Sequence, residues 1–212
     1  GAYPFVASLA NPHFVAGSAL LLGALAAFAS GRAACGAALG AVLSFVRPYD
    51  AALLAAIEGA NALLCERGRT RLRRLWPAAA VLPGLVWTWF VITTRPGLGT
   101  FGSTLYAENS PTLLELAIAL GPAGLLALSS LPARRHEGIE PGHLRRLVLW
   151  ALIATSVLML RPASYSLQFI VGAGFPVLAL AAIALSRVGH RTLVAAIPLM
   201  ATSSAVVVWL CT

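Results

Sequence analysis

Long apolar runs separated by short polar breaks organise the whole of this chain. The runs do not alternate apolar and polar residues with a period of two, so they predict helices and not the strands of a membrane barrel. We therefore predict an all-α fold, a polytopic transmembrane helix bundle that forms a single domain over residues 1–212. Gly36 and Gly40, four residues apart, predict a close approach by a neighbouring helix. The predicted helices occupy about eight segments: residues 14–30, 33–46, 51–65, 76–94, 111–131, 147–160, 167–186 and 192–212.

The arginines lie in the breaks between these segments, and most of them belong to one side. If the segments cross a membrane in alternation, twelve of the 15 arginines fall on one face, with dense groups at residues 66–74 and 133–146. Only Arg47, Arg95 and Arg161 fall on the other face, and each is followed by proline. Because cytoplasmic loops carry the excess of positive charge, the pattern predicts an integral membrane protein with its arginine-rich loops in the cytoplasm.

The composition agrees with a membrane protein and argues against a nucleic-acid-binding protein. Hydrophobic residues make up 59% of the chain and charged residues 10%, whereas a soluble domain carries about 25% charged residues. The net charge of +8 would suggest nucleic acid in a soluble protein, but here it follows from the one-sided arginines, so we expect no nucleic-acid partner. The three cysteines lack metal-site spacing. No metal site or cofactor is evident, and a divalent metal is neither indicated nor excluded.

The break at residues 44–50, Ser-Phe-Val-Arg-Pro-Tyr-Asp, offers the first candidate substrate-binding site. Arg47 carries a planar cation that suits phosphate, and Tyr49 could stack on or hydrogen-bond a polar ligand. Asp50 could orient Arg47, cap the next helix or bind a sugar hydroxyl. The alternative is an arginine that reaches lipid phosphates beside an ordinary capping aspartate. Three similar arginine-proline turns on one face favour the functional interpretation.

Arg161, Tyr165 and Gln168 form a similar candidate set around the start of the seventh segment. Gln168 enters an apolar helix, where an amide needs a partner; the alternative is an interfacial tyrosine and a helix-start amide. The second and sixth predicted helices have about 14 residues, roughly 21 Å, which is short of the ~30 Å hydrocarbon core. Arg47 and Arg161 are therefore expected either to face a common protein-walled cavity below the headgroups or to lie in locally thinned lipid.

Five further polar residues lie apart from these two sets. Arg95 and Glu108 belong to the longest predicted extracytoplasmic break, which could cover a site. Arg95 is a candidate substrate-binding residue, and Glu108 is a weak candidate acid or base and otherwise a solvated carboxylate. His13 is a candidate for contact with a sugar. Glu58 and Asn61 lie three residues apart near the middle of the third helix. Glu58 either carries a proton or, protonated, bonds Asn61 and holds helices together.

Four short motifs resemble one enzyme family. In chain order they look like parts of bacterial polytopic glycosyltransferases of the GT-C type, which include mannosyltransferase-like and arabinosyltransferase-like enzymes. The resemblance spans most of the chain. The motifs are Asn-Pro-His-Phe at 11–14, Phe-Val-Arg-Pro-Tyr-Asp at 45–50, Glu-Asn-Ser-Pro at 108–111 and Tyr-Ser-Leu-Gln-Phe-Ile-Val-Gly-Ala-Gly-Phe-Pro at 165–176.

The resemblance implies transfer of a sugar from a polyprenyl-phosphate carrier to a glycan, lipid or protein acceptor, outside the bacterial inner (plasma) membrane. Arg47 and Arg161 would hold the lipid phosphate, and Asp50 is a weak catalytic candidate. The family's acidic catalytic residue lies in the first extracytoplasmic loop, but no acidic residue precedes Asp50 here. We therefore expect a fragment that lacks the N-terminal helices and that loop.

Two other functional classes stay open from the residues alone. A transporter or flippase of an anionic substrate would bind that substrate with the same arginines and use Glu58 as a proton carrier, although no inverted repeat is visible. A membrane subunit without chemistry of its own is the third. Membrane lipid is an expected partner in all three.

Overall fold

A computed structural model describes residues 12–66, 68–95, 121, 123–129, 141–160 and 168–186. These ranges are helical apart from short connections and contain no strand, which confirms the predicted all-α class for this part of the chain. Residues 123–129 are helical. Seven further helices have defined bounds within the described ranges: α1 Pro12–Ala29, α2 Ala33–Val46, α3 Pro48–Cys65, α4 Gly68–Ala79, α5 Leu82–Thr94, α6 Pro141–Leu160 and α7 Gln168–Leu185.

The first two predicted helices are confirmed and form a hairpin closed by a glycine turn. Gly31 has a φ of 77°, and its N–H donates to the carbonyl of Phe28 at 3.2 Å, while the N–H of Arg32 donates to the carbonyl of Ala27 at 2.8 Å. A residue without Cβ takes this left-handed conformation readily, so Gly31 ends α1 and reverses the chain at once. The ring of Phe28 then lies directly over Gly36 of α2.

Two predicted helix starts lie too late in the chain. α3 begins at Pro48 instead of residue 51, and α6 begins at Pro141 instead of residue 147. Proline suits the first helical position because its missing N–H would have no partner there and its φ is already helical. Asp50, Arg145 and Arg146, which were predicted to lie in breaks, therefore belong to helices.

The prediction of a loop at residues 66–74 is wrong, because residues 68–74 belong to α4. Arginine is a good helix former, and its density hid the helix from an interpretation based on polarity. The predicted single helix at residues 76–94 is divided at residues 80–81 between α4 and α5. Pro83 explains the division, since it has no N–H to donate to the carbonyl of Ala79.

The centre of the described bundle is α3, which contacts each of the other six helices with defined bounds. Its inner face contributes Leu53, Leu54 and Ile57 to an apolar core shared with α1, α2, α6 and α7. A second apolar cluster joins α6, α7 and residues 123–129. The two clusters meet along α6, so α3 and α6 together hold the bundle.

Small residues let the helices approach closely, as predicted at Gly40. Leu54 and Val81 lie 3.1 Å and 3.2 Å from the position that a Cβ on Gly40 would take. Gly84 of α5 lies tighter still, because an added Cβ there would stand 2.6 Å from the Cβ and 2.7 Å from the carbonyl carbon of Ser44. The backbones of α2 and α5 are therefore in direct contact.

One described stretch, Leu75–Thr94, is long and apolar enough to cross a membrane, and it includes the division between α4 and α5. Trp76, Trp87 and Trp89 are exposed along it, as an interfacial belt requires. Shorter apolar helices lie at Val15–Ala29, Ala33–Val46 and Ala173–Leu185.

Candidate functional site

Arg47 is the single residue that separates α2 from α3. Its N–H donates to the carbonyl of Leu43 at 2.7 Å, which ends α2, and its own carbonyl accepts from Ala51 at 3.1 Å, which begins α3. Pro48 then fixes the first helical position of α3. The predicted four-residue turn is thus reduced to one residue, and Asp50 lies in the first turn of α3 and is not its N-cap.

The side chains of Arg47 and Asp50 form a buried ion pair. The distance from Arg47 Nη1 to Asp50 Oδ2 is 3.2 Å, and the two side chains are 3% and 2% exposed. Of the three predicted roles of Asp50, this contact fits the orientation of Arg47. Asp50 also lies where the helix dipole favours negative charge. Burial lowers the pKa of the Arg47 guanidinium, and the Asp50 carboxylate opposes that change.

A glycine in α1 creates the space that this pair occupies. A Cβ added at Gly17 would overlap the Arg47 side chain, with Cγ at 2.9 Å, and would stand 3.3 Å from Asp50 Oδ2. The guanidinium is thus held between α1 and the start of α3. This position contradicts the alternative of an arginine extended along the protein surface toward lipid phosphates.

One carboxylate oxygen of this site is buried without a hydrogen bond. Within the described part of the chain Asp50 Oδ1 has no donor, although Asp50 Oδ2 faces Arg47. Buried carboxylate oxygens normally accept hydrogen bonds, so Asp50 Oδ1 is an unsatisfied acceptor. Tyr49, at intermediate burial, follows Arg47 by two residues at the same end of α3.

A second set of buried polar side chains joins α3 to α6. Arg146 donates from Nε to Glu58 Oε1 at 2.7 Å and from Nη2 to Oε2 at 3.4 Å. Arg145 donates from Nε to Asn61 Oδ1 at 2.7 Å. The predicted bond between Glu58 and Asn61 is therefore wrong, because each has an arginine partner. We call these four residues the α3–α6 polar cluster.

Sequence reasoning missed Arg145 and Arg146 as partners because it ended the basic loop at residue 146. The signal that could have found them is Pro141-Gly142, since proline marks a first helical position. A helix that starts there places both arginines in its second turn, one on each side of the face toward α3. Glu58 does link two helices, but through Arg146 and not through the predicted bond to Asn61.

The remaining predicted site residues are not brought to Arg47 by the described structure. Arg95 is exposed just after α5. His13 and Gln168 lie in the first turns of α1 and α7, but their side chains are outside the described part. Glu108, Arg161 and Tyr165 also lie outside the described residues. The predicted convergence of the three arginine-proline turns therefore stays a prediction.

The described residues contain no group of three or more His, Cys, Asp or Glu side chains that could hold a metal ion. No protein-family model, no curated protein and no solved structure matches this chain.

Proposed function

We propose that this protein is an integral membrane glycosyltransferase that moves a sugar from a polyprenyl-phosphate carrier to an extracytoplasmic acceptor. The observation that carries the proposal is the buried pair of Arg47 and Asp50, in which a cation suited to phosphate lies beside a carboxylate with one oxygen unsatisfied among the described residues. The GT-C resemblance supports it, because the motif at residues 45–50 contains both side chains.

The proposed setting is a polytopic bundle of about eight helices in a bacterial inner membrane, with the arginine-rich segments in the cytoplasm. The apolar stretch Leu75–Thr94 and the shorter apolar helices support it. The α3–α6 polar cluster adds support, because Glu58 pairs with Arg146 and the later Asn61 pairs with the earlier Arg145. This antiparallel register brings the end of α3 and the start of α6 to one side, as alternating spans require.

The proposed reaction is an inverting transfer. The hydroxyl oxygen of the acceptor attacks the anomeric carbon, and the bond from that carbon to the carrier phosphate breaks with its electron pair on the phosphate oxygen. A carboxylate takes the hydroxyl proton, and a cation stabilises the charge that develops on the phosphate. We assign the hydroxyl contact to Asp50 Oδ1 and the phosphate contact to Arg47.

The test is sugar transfer by the full-length protein in native membranes, with labelled polyprenyl-phosphate sugars as donors. We expect Asp50→Asn to lower transfer roughly 10²- to 10⁴-fold, the range for loss of a general base. Arg47→Lys keeps the positive charge but loses the planar fork, so we expect transfer to fall while the fold is kept. Glu66→Gln, at the opposite end of α3, is the matched carboxylate-to-amide control.

The transfer assay distinguishes an enzyme from a structural ion pair and from a transporter. Transfer lost in the Asp50 and Arg47 variants, with normal expression and at a temperature below the unfolding of each variant, supports the proposal. Full activity in both variants removes these residues from the reaction and leaves them as a structural ion pair. No transfer by the wild-type protein from any donor rejects the enzyme and favours the transporter.

The transporter alternative is less well supported by the described contacts. Its predicted proton carrier, Glu58, has both carboxylate oxygens within hydrogen-bond distance of Arg146. A carboxylate held by two contacts to one arginine is better suited to linking α3 and α6 than to carrying a proton.

A further inference from the structure

The α3–α6 polar cluster contains two guanidinium groups and one carboxylate. Glu58 compensates the charge of Arg146 through two contacts between their side chains. Arg145 has only the amide oxygen of Asn61 as a hydrogen-bond partner among the described residues, and that partner is neutral. The positive charge of Arg145, a side chain of intermediate burial, is therefore not compensated by a carboxylate within the cluster.

A second donor in the cluster also lacks an acceptor. Asn61 is 0% exposed, and its Nδ2 has no hydrogen-bond partner in the described part of the chain. Its Oδ1 is fixed by Arg145 Nε at 2.7 Å, so the orientation of the amide is set and Nδ2 must point away from that bond. A buried N–H without an acceptor is unfavourable, because it has given up its hydrogen bond to water.

The backbone adds a further positive contribution at the same place. Arg145 lies in the second turn of α6, a helix of 20 residues, and the unbonded N–H groups of a helix start attract anions. Arg71 of α4 does not compete for a ligand here, because it donates to the carbonyls of Leu63 and Glu66 and so caps the end of α3.

We propose that Arg145 and Asn61 bind a phosphate group between α3 and α6, with the guanidinium of Arg145 and Nδ2 of Asn61 as donors. An anionic oxygen satisfies both donors and compensates the charge, which a neutral acceptor would not do. The group belongs either to the headgroup of an anionic phospholipid or to free inorganic phosphate. Leu63 and Leu64, both exposed beside this end of α3, offer apolar surface to the acyl chains of a lipid.

This site is independent of the proposed glycosyl transfer. Asn61 follows Asp50 by eleven residues on α3, about 16 Å along the helix axis. It lies at the end of α3 that adjoins the arginine-rich α4, opposite Arg47. Loss of the phosphate site therefore leaves the Arg47–Asp50 pair in place, and the two proposals fail separately.

The experiment measures the thermal unfolding temperature of the full-length protein in two settings. In detergent, inorganic phosphate is titrated at constant ionic strength against chloride. In lipid nanodiscs, phosphatidylglycerol replaces part of the phosphatidylcholine. We compare the wild type with Asn61→Asp, which gives Arg145 its own carboxylate, and with Arg145→Gln. Arg32→Gln removes an exposed arginine from the α1–α2 turn and is the charge-matched control.

We expect a saturable rise in unfolding temperature in the wild type and in Arg32→Gln. We expect the affinity to fall roughly tenfold or more in Asn61→Asp and Arg145→Gln, the loss expected for one charge-assisted hydrogen bond. A response to phosphate in detergent identifies free phosphate as sufficient, and a response to phosphatidylglycerol alone identifies the headgroup. No saturable response in either setting overturns the proposal. Equal responses in all four proteins also overturn it.

Discussion

Removal of either partner of the Glu58–Arg146 pair should destabilise the protein more than any exposed charge change. Both side chains are less than a tenth exposed, at 5% for Glu58 and 8% for Arg146. Glu58→Gln keeps the shape of the side chain but leaves the guanidinium of Arg146 buried without its carboxylate. Breaking a buried pair in this way lowers the free energy of unfolding by about 3–5 kcal/mol.

The geometry of the pair places the expected value in the lower part of that range. The contact between Nε and Oε1 at 2.7 Å is a strong charge-assisted bond, but the contact between Nη2 and Oε2 at 3.4 Å is near the limit for a hydrogen bond. One strong bond and one weak bond indicate a loss of about 3–4 kcal/mol for Glu58→Gln. Replacing both partners together, as Glu58→Leu with Arg146→Met, should restore stability to within about 1 kcal/mol of the wild type, because no charge is then left buried.

The assay is reversible unfolding of the purified full-length protein in mixed micelles with increasing sodium dodecyl sulfate, followed by tryptophan fluorescence. Arg32→Gln, at the exposed α1–α2 turn, is the control and should change the free energy of unfolding by less than about 0.5 kcal/mol. A free energy of unfolding for Glu58→Gln within about 1 kcal/mol of the wild type, the value for exposed pairs, would refute the strong buried pair. It is equally refuted if the double variant is as unstable as the single one.

Two further predictions concern packing and topology. Gly84→Ala should lower the free energy of unfolding by about 1–3 kcal/mol, because its Cβ would meet the backbone of Ser44. Gly59→Ala, whose Cβ would have nothing within 4 Å, should be neutral or should stabilise the protein by roughly 0.5–1 kcal/mol. Both variants are measured in the same unfolding assay, and equal effects would contradict the contact between Gly84 and Ser44. In a variant whose three native cysteines are replaced, single cysteines at the exposed positions Arg32 and Arg95 should react with a membrane-impermeant maleimide from opposite sides, Arg32 from the cytoplasm. Labelling of both positions from one side would contradict the alternation of spans.

The helices that sequence predicted well are the ones whose apolar runs end at clear signals. Gly31 ends α1 and Arg47 ends α2, so these two bounds could be read from residue types, whereas α3 begins at Pro48, three residues before its predicted start. α4 could not be predicted in this way, because its dense arginines resemble a loop although they favour a helix. The start of α6 was missed because its first turns are polar, and polarity was given more weight than Pro141.

The two candidate sites also differ in whether their side-chain contacts could be predicted from local sequence. Arg47 and Asp50 are three residues apart, so their pairing follows from local helix geometry and could be predicted. Glu58 and Arg146 are 88 residues apart, and their contact depends on how α3 and α6 pack. No local rule connects two such positions, so the sequence indicated that Glu58 needed a partner without identifying it.

The two ends of α3 together bear on the choice between enzyme and transporter. Its first turn is tied to α1 through the Arg47–Asp50 pair against Gly17, and its last turns are tied to α6 through Glu58 and Asn61. An alternating-access cycle that moved α3 relative to α6 would have to break the Glu58–Arg146 pair. A cost of about 3–4 kcal/mol would hold the conformation with the broken pair at a population roughly a hundred- to a thousand-fold below that of the paired conformation. Such a helix is better suited to keep Arg47 and Asp50 in a fixed geometry, which a transferase site requires.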